Sequence, residues 1–189
     1  MTTFYLVRHG ACDGLGEIIW GRTPGIRLNA EGKAQVQRLA DDFRKVHLDA
    51  IYSSPLERAQ ETAEAIARVA KLEVQHSPAF NEIDFGGWSG RSIAALADDD
   101  RWHRFNTQRN TTRIPGGELL LEVQARAISE LERMSQDQPG GRVLIVSHAD
   151  VIKSVLAYVD DKSFDSVQEI WPCSVSIVEL DEDQATVLG

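Results

Sequence analysis

Short apolar runs alternate with helix-period stretches along the chain. Phe4-Tyr5-Leu6-Val7 is aromatic and β-branched and stops at the polar Arg8-His9-Gly10, which predicts a buried strand ending in a turn. Val36, Leu39, Phe43 and Val46 recur at helical spacing, with Asn29 placed as the N-cap. A second short strand is predicted over Asp49-Ala50-Ile51-Tyr52. It runs into Ser53-Ser54-Pro55, where Ser54 as N-cap and Pro55 at the first helical position predict a helix carrying Ala59, Ala63, Ile66 and Ala70. Residues 81–90 read as a glycine-bearing loop, and 91–117 shows only weak periodicity. Leu120, Val123, Ala127, Leu131 and Met134 mark one face of a further helix. Val143-Leu144-Ile145-Val146 is the cleanest core strand; it ends at Ser147-His148 and leads into a helix over roughly 150–158. Residues 174–180 and 185–188 predict two last strands. This alternation predicts an α/β fold with a mainly parallel sheet.

Composition narrows the function. The 189 residues suit one domain, and a balance of 20 Lys+Arg against 29 Asp+Glu gives a formal net charge of -9. That excess argues against nucleic acid or an anionic membrane as partner, since both need a broad basic surface. It says nothing about a single pocket. Cys12 and Cys173 form neither a disulfide framework nor paired metal-ligand spacing, so no metal is expected. No apolar stretch approaches the roughly 20 residues of a membrane span, and no signal peptide is evident, so a cytoplasmic location is expected.

Ligands of α/β sheets bind beyond the carboxyl ends of the strands, and three predicted strands end in chemically loaded turns. Arg8-His9 offers a guanidinium fork for phosphate beside an imidazole able to act as nucleophile or base; the alternative is a solvated arginine and a locally satisfied histidine. Arg58 sits at a helix start, where the dipole disfavours a cation, so an anion shared with the helix amides fits; pairing with Glu61 is the alternative. His148 is held at a rigid strand end, as a catalytic or a capping histidine. Glu82 lies among Phe80, Phe85 and Trp88, surroundings that turn a carboxyl into a proton donor, unless it is an ordinary exposed loop glutamate.

Taken in order, Leu6-Val7-Arg8-His9-Gly10, the segment from Tyr52 to Ala63, Asn81 to Gly90, and Val146 to Ile152 resemble the four motifs of the histidine phosphatase (phosphoglycerate mutase-like) superfamily. Pro115-Gly116-Gly117-Glu118 and Leu28-Asn29-Ala30-Glu31-Gly32 are similar to it as well, and the resemblance spans roughly residues 3–157. It implies a three-layer α/β/α sandwich. It also implies that His9 is the phosphoryl-accepting nucleophile, that Arg8, Arg58 and His148 bind the phosphoryl oxygens, and that Glu82 is the proton donor. No cofactor is implied. The segment 91–117 becomes a small lid-like insert in a single domain over 1–189, with Arg91, Arg101, Arg104, Arg109 and Arg113 expected to roof the pocket.

The chain departs from the family pattern where Ala11 and Cys12 follow Arg-His-Gly, and Leu15 stands where an asparagine is common. Gly21-Arg22-Thr23-Pro24-Gly25 resembles a short bacterial phosphomutase or phosphatase branch, so Arg22 or Thr23 is expected to supply the missing substrate contact. The segment from Gly16 to Thr23 imitates a P-loop without following a strand, and neither cysteine begins a Cys-x5-Arg motif. Asp181-Glu182-Asp183 sits too late for an aspartyl-phosphate enzyme. The reading is a phosphomonoester hydrolase acting on a small soluble phosphate ester. A mutase or phosphotransferase is the alternative, and a non-catalytic phospholigand-binding protein comes third; the oligomeric state stays open.

Overall fold

The computed structural model describes residues 1–181 and 184–188, so Glu182 and Asp183 of the acidic tripeptide lie outside the described residues. Its centre is a six-stranded sheet in the order β3-β2-β4-β1-β5-β6. Strands β1 (Thr2–Arg8), β2 (Ala50–Ser53), β3 (Val74–His76) and β4 (Arg142–Ser147) are parallel, and β5 (Val175–Leu180) and β6 (Ala185–Val187) close the edge antiparallel. Helices α1 (Ala30–Phe43) and α2 (Glu57–Ala70) pack on one face, where Val7, Ile51, Leu144 and Val146 meet Val36, Leu39 and Ile66. Helices α4 (Leu120–Asp137) and α5 (Ala149–Val159) cover the other, around Phe4, Leu6, Val143 and Ile145. The architecture is the expected three-layer α/β/α sandwich around a mostly parallel sheet.

The strands β1 and β4 lie at the sheet centre and are covered on both sides. Their continuous apolar runs follow from that, because both faces of each residue pair are dry. Their register sets Arg8 beside Ser147, so the two loaded turns leave the sheet side by side. Strand β2 pairs with β4 on its other flank, matching Ser53 with Val146. Three strand ends therefore open at one rim.

Two elements differ from the sequence reading. Helix α2 begins at Glu57 rather than Pro55, with Leu56 as its cap, and Ser54 Oγ accepts only the Leu56 amide there, in a long bond of 3.4 Å. In α1, by contrast, Asn29 is the cap, its Oδ1 accepting from Gly32 N at 2.8 Å. The weakly periodic insert holds a 3₁₀ turn (Ala94–Leu96) and helix α3 (Asp100–Thr107), which buries Phe105 and packs it against Trp88 and Trp102. With apolar positions only at Trp102 and Phe105 between charged residues, α3 leaves a faint pattern.

Candidate active site

His9 is buried at the end of β1, with both ring nitrogens engaged. Its Nδ1 lies 2.8 Å from the Gly10 carbonyl, and its Nε2 receives Nε–H of Arg58 at 3.2 Å. A carbonyl can only accept and a guanidinium can only donate. The proton of neutral His9 is therefore on Nδ1, and the Nε2 lone pair faces the pocket. Burial, then the Arg58 and Arg8 charges, hold this imidazole well below its usual range, while the Gly10 bond works the other way. A neutral imidazole with its lone pair on Nε2 is a nucleophile once the Arg58 hydrogen bond to it gives way.

Arg58 lies between two histidines. Besides His9, its Nη2 reaches the Gly21 carbonyl at 2.9 Å and Nδ1 of His148 at 3.3 Å. Its Nη1 is buried and, among the described residues, has no partner. Glu61, the partner expected for a merely structural Arg58, instead binds Arg27 and the amide of Leu28. Arg8 donates from Nη1 to the Ile170 carbonyl, and its buried Nε likewise lacks a partner among the described residues. Burial pulls the Arg58 value down, yet a guanidinium remains charged. A buried and a half-buried cation, each with an open buried N–H group, form a site for a small anion.

His148 caps α5 and is fully buried, its ring 5.1 Å from that of His9. Its Nε2 lies 2.8 Å from Ser54 Oγ, and its Nδ1 lies 3.6 Å from Glu82 Oε2. Burial, then Arg58 and His9, lower it well below the usual imidazole value. Glu82 accepts the Ile83 amide on Oε1 at 2.9 Å. Desolvation first, and then the charge of Asp150, push its carboxyl up to about 7, against the pull of Arg58 and Arg8. A carboxyl that keeps its proton near neutrality is suited to protonating a leaving oxygen.

The Glu82 loop is fixed by the Pro115-Gly116-Gly117 turn. Gly87 N donates to Pro115 O at 2.9 Å, and Glu118 N donates to Asp84 O at 3.0 Å. The two backbones approach so closely that a Cβ on Gly86 would stand 2.3 Å from Pro115 O, and one on Gly117 2.1 Å from Asp84 O. Side chains add to this: Arg22 Nε and Arg126 Nη2 both donate to the Glu82 carbonyl, and both arginines bind Glu118. Arg22, expected to touch substrate, here bonds the Glu82 carbonyl and the Glu118 carboxylate. Thr23 lies two residues beyond Gly21, and among the described residues its hydroxyl makes no hydrogen bond.

A family model described as "Histidine phosphatase superfamily (branch 1)" matches residues 4–189. The chain belongs to this superfamily. It is 31% identical to phosphoserine phosphatase 1 of Hydrogenobacter thermophilus over all of its own length and 91% of that protein. The uncharacterized phosphatase PhoE of Bacillus subtilis is also 31% identical, with 97% of this chain and 91% of that one covered. Among solved structures, YhfR of Bacillus stearothermophilus superposes with a TM-score of 0.90 at 28% identity, covering 99% and 95% of the two chains. A phosphoserine phosphatase from Entamoeba histolytica shares the fold, with a TM-score of 0.88 at 24% identity over 100% of this chain and 96% of that one. This histidine phosphatase is a phosphomonoester hydrolase of small phosphate esters.

The constellation of His9, Arg8, Arg58, Glu82 and His148 comes together at one rim, as their strand-end positions imply. Of the insert arginines, Arg109 binds Asp150, Arg113 binds Glu122, and Arg91 donates to the Ala95 carbonyl. The sequence marks Ser54 only as a helix cap and Glu118 only as part of a turn, and gives Thr62 and Arg126 no role of their own, because the partners that matter lie tens of residues away. Cys12 is buried, and desolvation raises its thiol. No helix among the described residues is long and apolar enough to cross a membrane, and no group of three or more His, Cys, Asp or Glu in them is arranged to hold a metal ion.

Proposed function

We propose that His9 hydrolyses its phosphate ester through a phosphohistidine formed at Nε2. The observation that carries this is the fixed tautomer: Nδ1–H is committed to Gly10 O, and the Nε2 lone pair points at Arg58, between two open cationic donors. In the first step the lone pair attacks phosphorus, the bond to the leaving oxygen breaks, and the Glu82 proton passes to that oxygen. Arg58 and Arg8 hold the equatorial oxygens, where charge accumulates, and His148 joins them when the bound phosphate monoanion passes its proton to the ring's Nδ1. In the second step the Glu82 carboxylate takes a proton from water, the resulting hydroxide attacks phosphorus, and the N–P electron pair returns to Nε2. The two guanidinium groups supply the positive charge the reaction needs. Thr23, with its uncommitted hydroxyl, is the substrate-contacting residue of the 21–25 turn. Residues 91–117 act as a small lid on a single domain.

Denaturing quench after brief mixing with a ³²P-labelled alkyl phosphate is expected to leave acid-labile label on the wild-type chain and none on His9→Ala. Turnover retained in His9→Ala would overturn the mechanism. Incubation with a phosphoglycerate separates hydrolysis from mutase action: free phosphate is expected, not isomer exchange.

A further inference from the structure

Arg109 joins the 91–117 insert to the helix that begins beside His148. It lies just past α3, and its Nη1 donates to Asp150 Oδ1 at 3.2 Å while its Nη2 donates to Asn106 at 3.3 Å. Its Cζ stands 4.9 Å from the ring centre of Phe105 in α3 and 4.9 Å from that of Phe164, in the turn after α5. A guanidinium facing two rings while bonded to a carboxylate, with both side chains about four-fifths buried, is held far more firmly than a solvated surface pair. Asp150 is the second residue of α5, two positions after His148, whose Nδ1 is 3.6 Å from Glu82.

An acid in a first helical turn is explained by the helix dipole alone. The dipole does not explain why this acid is gripped by a cation carried on another segment. We propose that the Arg109–Asp150 pair is a positioning device for the Glu82 proton donor, locking the insert onto α5 and fixing the negative charge that faces Glu82 from that helix. This rests on Glu82 being the proton donor.

The charged groups around Glu82 make Asp150 distinctive. Arg8 faces it from β1, Arg58 from α2, His148 from the β4–α5 junction, Arg126 from α4 and Arg22 from the loop before α1. Glu118, the other carboxylate close by, is clasped between Arg22 and Arg126. Arg58 and Arg8 favour an ionised Glu82, whereas Asp150 favours the proton-bearing form and after burial is the largest influence in that direction. A carboxylate at a helix start with no partner is free to turn to water. Bonded to Arg109, it stays in place.

The test compares kcat against pH for an alkyl phosphate, whose poor leaving group needs the proton, and for p-nitrophenyl phosphate, which does not. Asp150→Asn, nearly isosteric, is expected to move the alkaline limb of the alkyl phosphate profile to lower pH, by on the order of one unit. Arg109→Ala is expected to lower kcat for the alkyl phosphate about tenfold with KM little changed, and to affect p-nitrophenyl phosphate far less. Arg109→Lys recovers part of that loss, and Arg109→Ala adds nothing in the Asp150→Asn background. An unmoved limb in Asp150→Asn, or equal losses on both esters in Arg109→Ala, overturns the proposal. Should Arg109→Ala fail to fold, the Asp150→Asn and Arg109→Lys arms decide it. Glu82→Gln distinguishes the two levels: if it leaves the ratio of rates on the two esters unchanged, the proton-donor reading itself falls. If that ratio collapses while the Asp150→Asn limb stays put, only the positioning role is lost.

Discussion

Ser54 Oγ lies 2.8 Å from Nε2 of His148, although the two residues are 94 positions apart. The sequence around Ser54 reads as a helix cap, yet its hydroxyl serves an imidazole on another strand end. With Nδ1 of His148 turned toward Arg58, a donor, the ring hydrogen sits on Nε2 and the serine accepts it.

Replacing Ser54 by Ala therefore frees the His148 ring and, at the start of α2, removes only the long 3.4 Å bond from the Leu56 amide. The expected result is a kcat about tenfold lower, because a loosened oxyanion ligand costs transition-state stabilisation. Stability should fall by only about 1 kcal/mol. Steady-state kinetics alongside urea unfolding check both; an unfolded variant or an unchanged kcat would contradict the assignment.

Glu82 couples activity to stability through pH. Its carboxyl is held at about 7 against an ordinary 4.5, so between those values the folded chain keeps a proton the unfolded chain has released. The Glu82 contribution to stability thus falls as pH rises through this window, and its loss is complete above pH ~7. Glu82→Gln carries no such proton. It is expected to match wild type near pH ~4 and to exceed it near pH ~8 by up to on the order of 3 kcal/mol, with alkyl phosphate turnover down at least about 100-fold. Urea unfolding of the two proteins at both pH values gives the sign directly.

Thr62 stabilises the nucleophile's turn from beneath. Its Oγ accepts Gly10 N–H at 3.1 Å and donates to the Arg58 carbonyl at 2.8 Å, and the residue is fully buried. Thr62→Val keeps the shape but leaves the Gly10 amide without a partner. A loss of about 1–3 kcal/mol is expected, and Thr62→Ser should retain most of the stability. Equal stability of the Val and Ser variants would remove this role.

Gly117 tests the docking of the proton-donor loop. Gly117→Ala places a methyl group against the Asp84 carbonyl, which is backbone, and against Cγ2 of the buried Ile114 side chain. The expected cost is about 1–3 kcal/mol, together with selective loss on poor leaving groups. Gly87→Ala serves as control, since its added carbon would meet Pro115 O at an ordinary 3.5 Å. Thermal melts and the ratio of rates on the two ester types distinguish the variants.

The chemistry-bearing residues were legible because strand ends are local features. A run such as Val143-Leu144-Ile145-Val146 announces its own burial, and the polar residue that stops it must stand at the sheet's rim. His9, Arg8 and His148 could be placed in that way, and the order of motifs added Arg58 and Glu82. The three-residue edge strand β3 went unread, since Gln75 and His76 leave it no apolar alternation. Helix α3 was hidden by the charges around Trp102 and Phe105. The sequence by itself determined which side chains reach the rim, because periodicity encodes the buried face of each element. Only the tertiary structure decided what each one touches: Ser54 with His148, Arg22 and Arg126 with the Glu82 carbonyl, Arg109 with Asp150. A hydrogen bond or ion pair depends on ångström distances between segments far apart in the chain, and no local pattern records those distances.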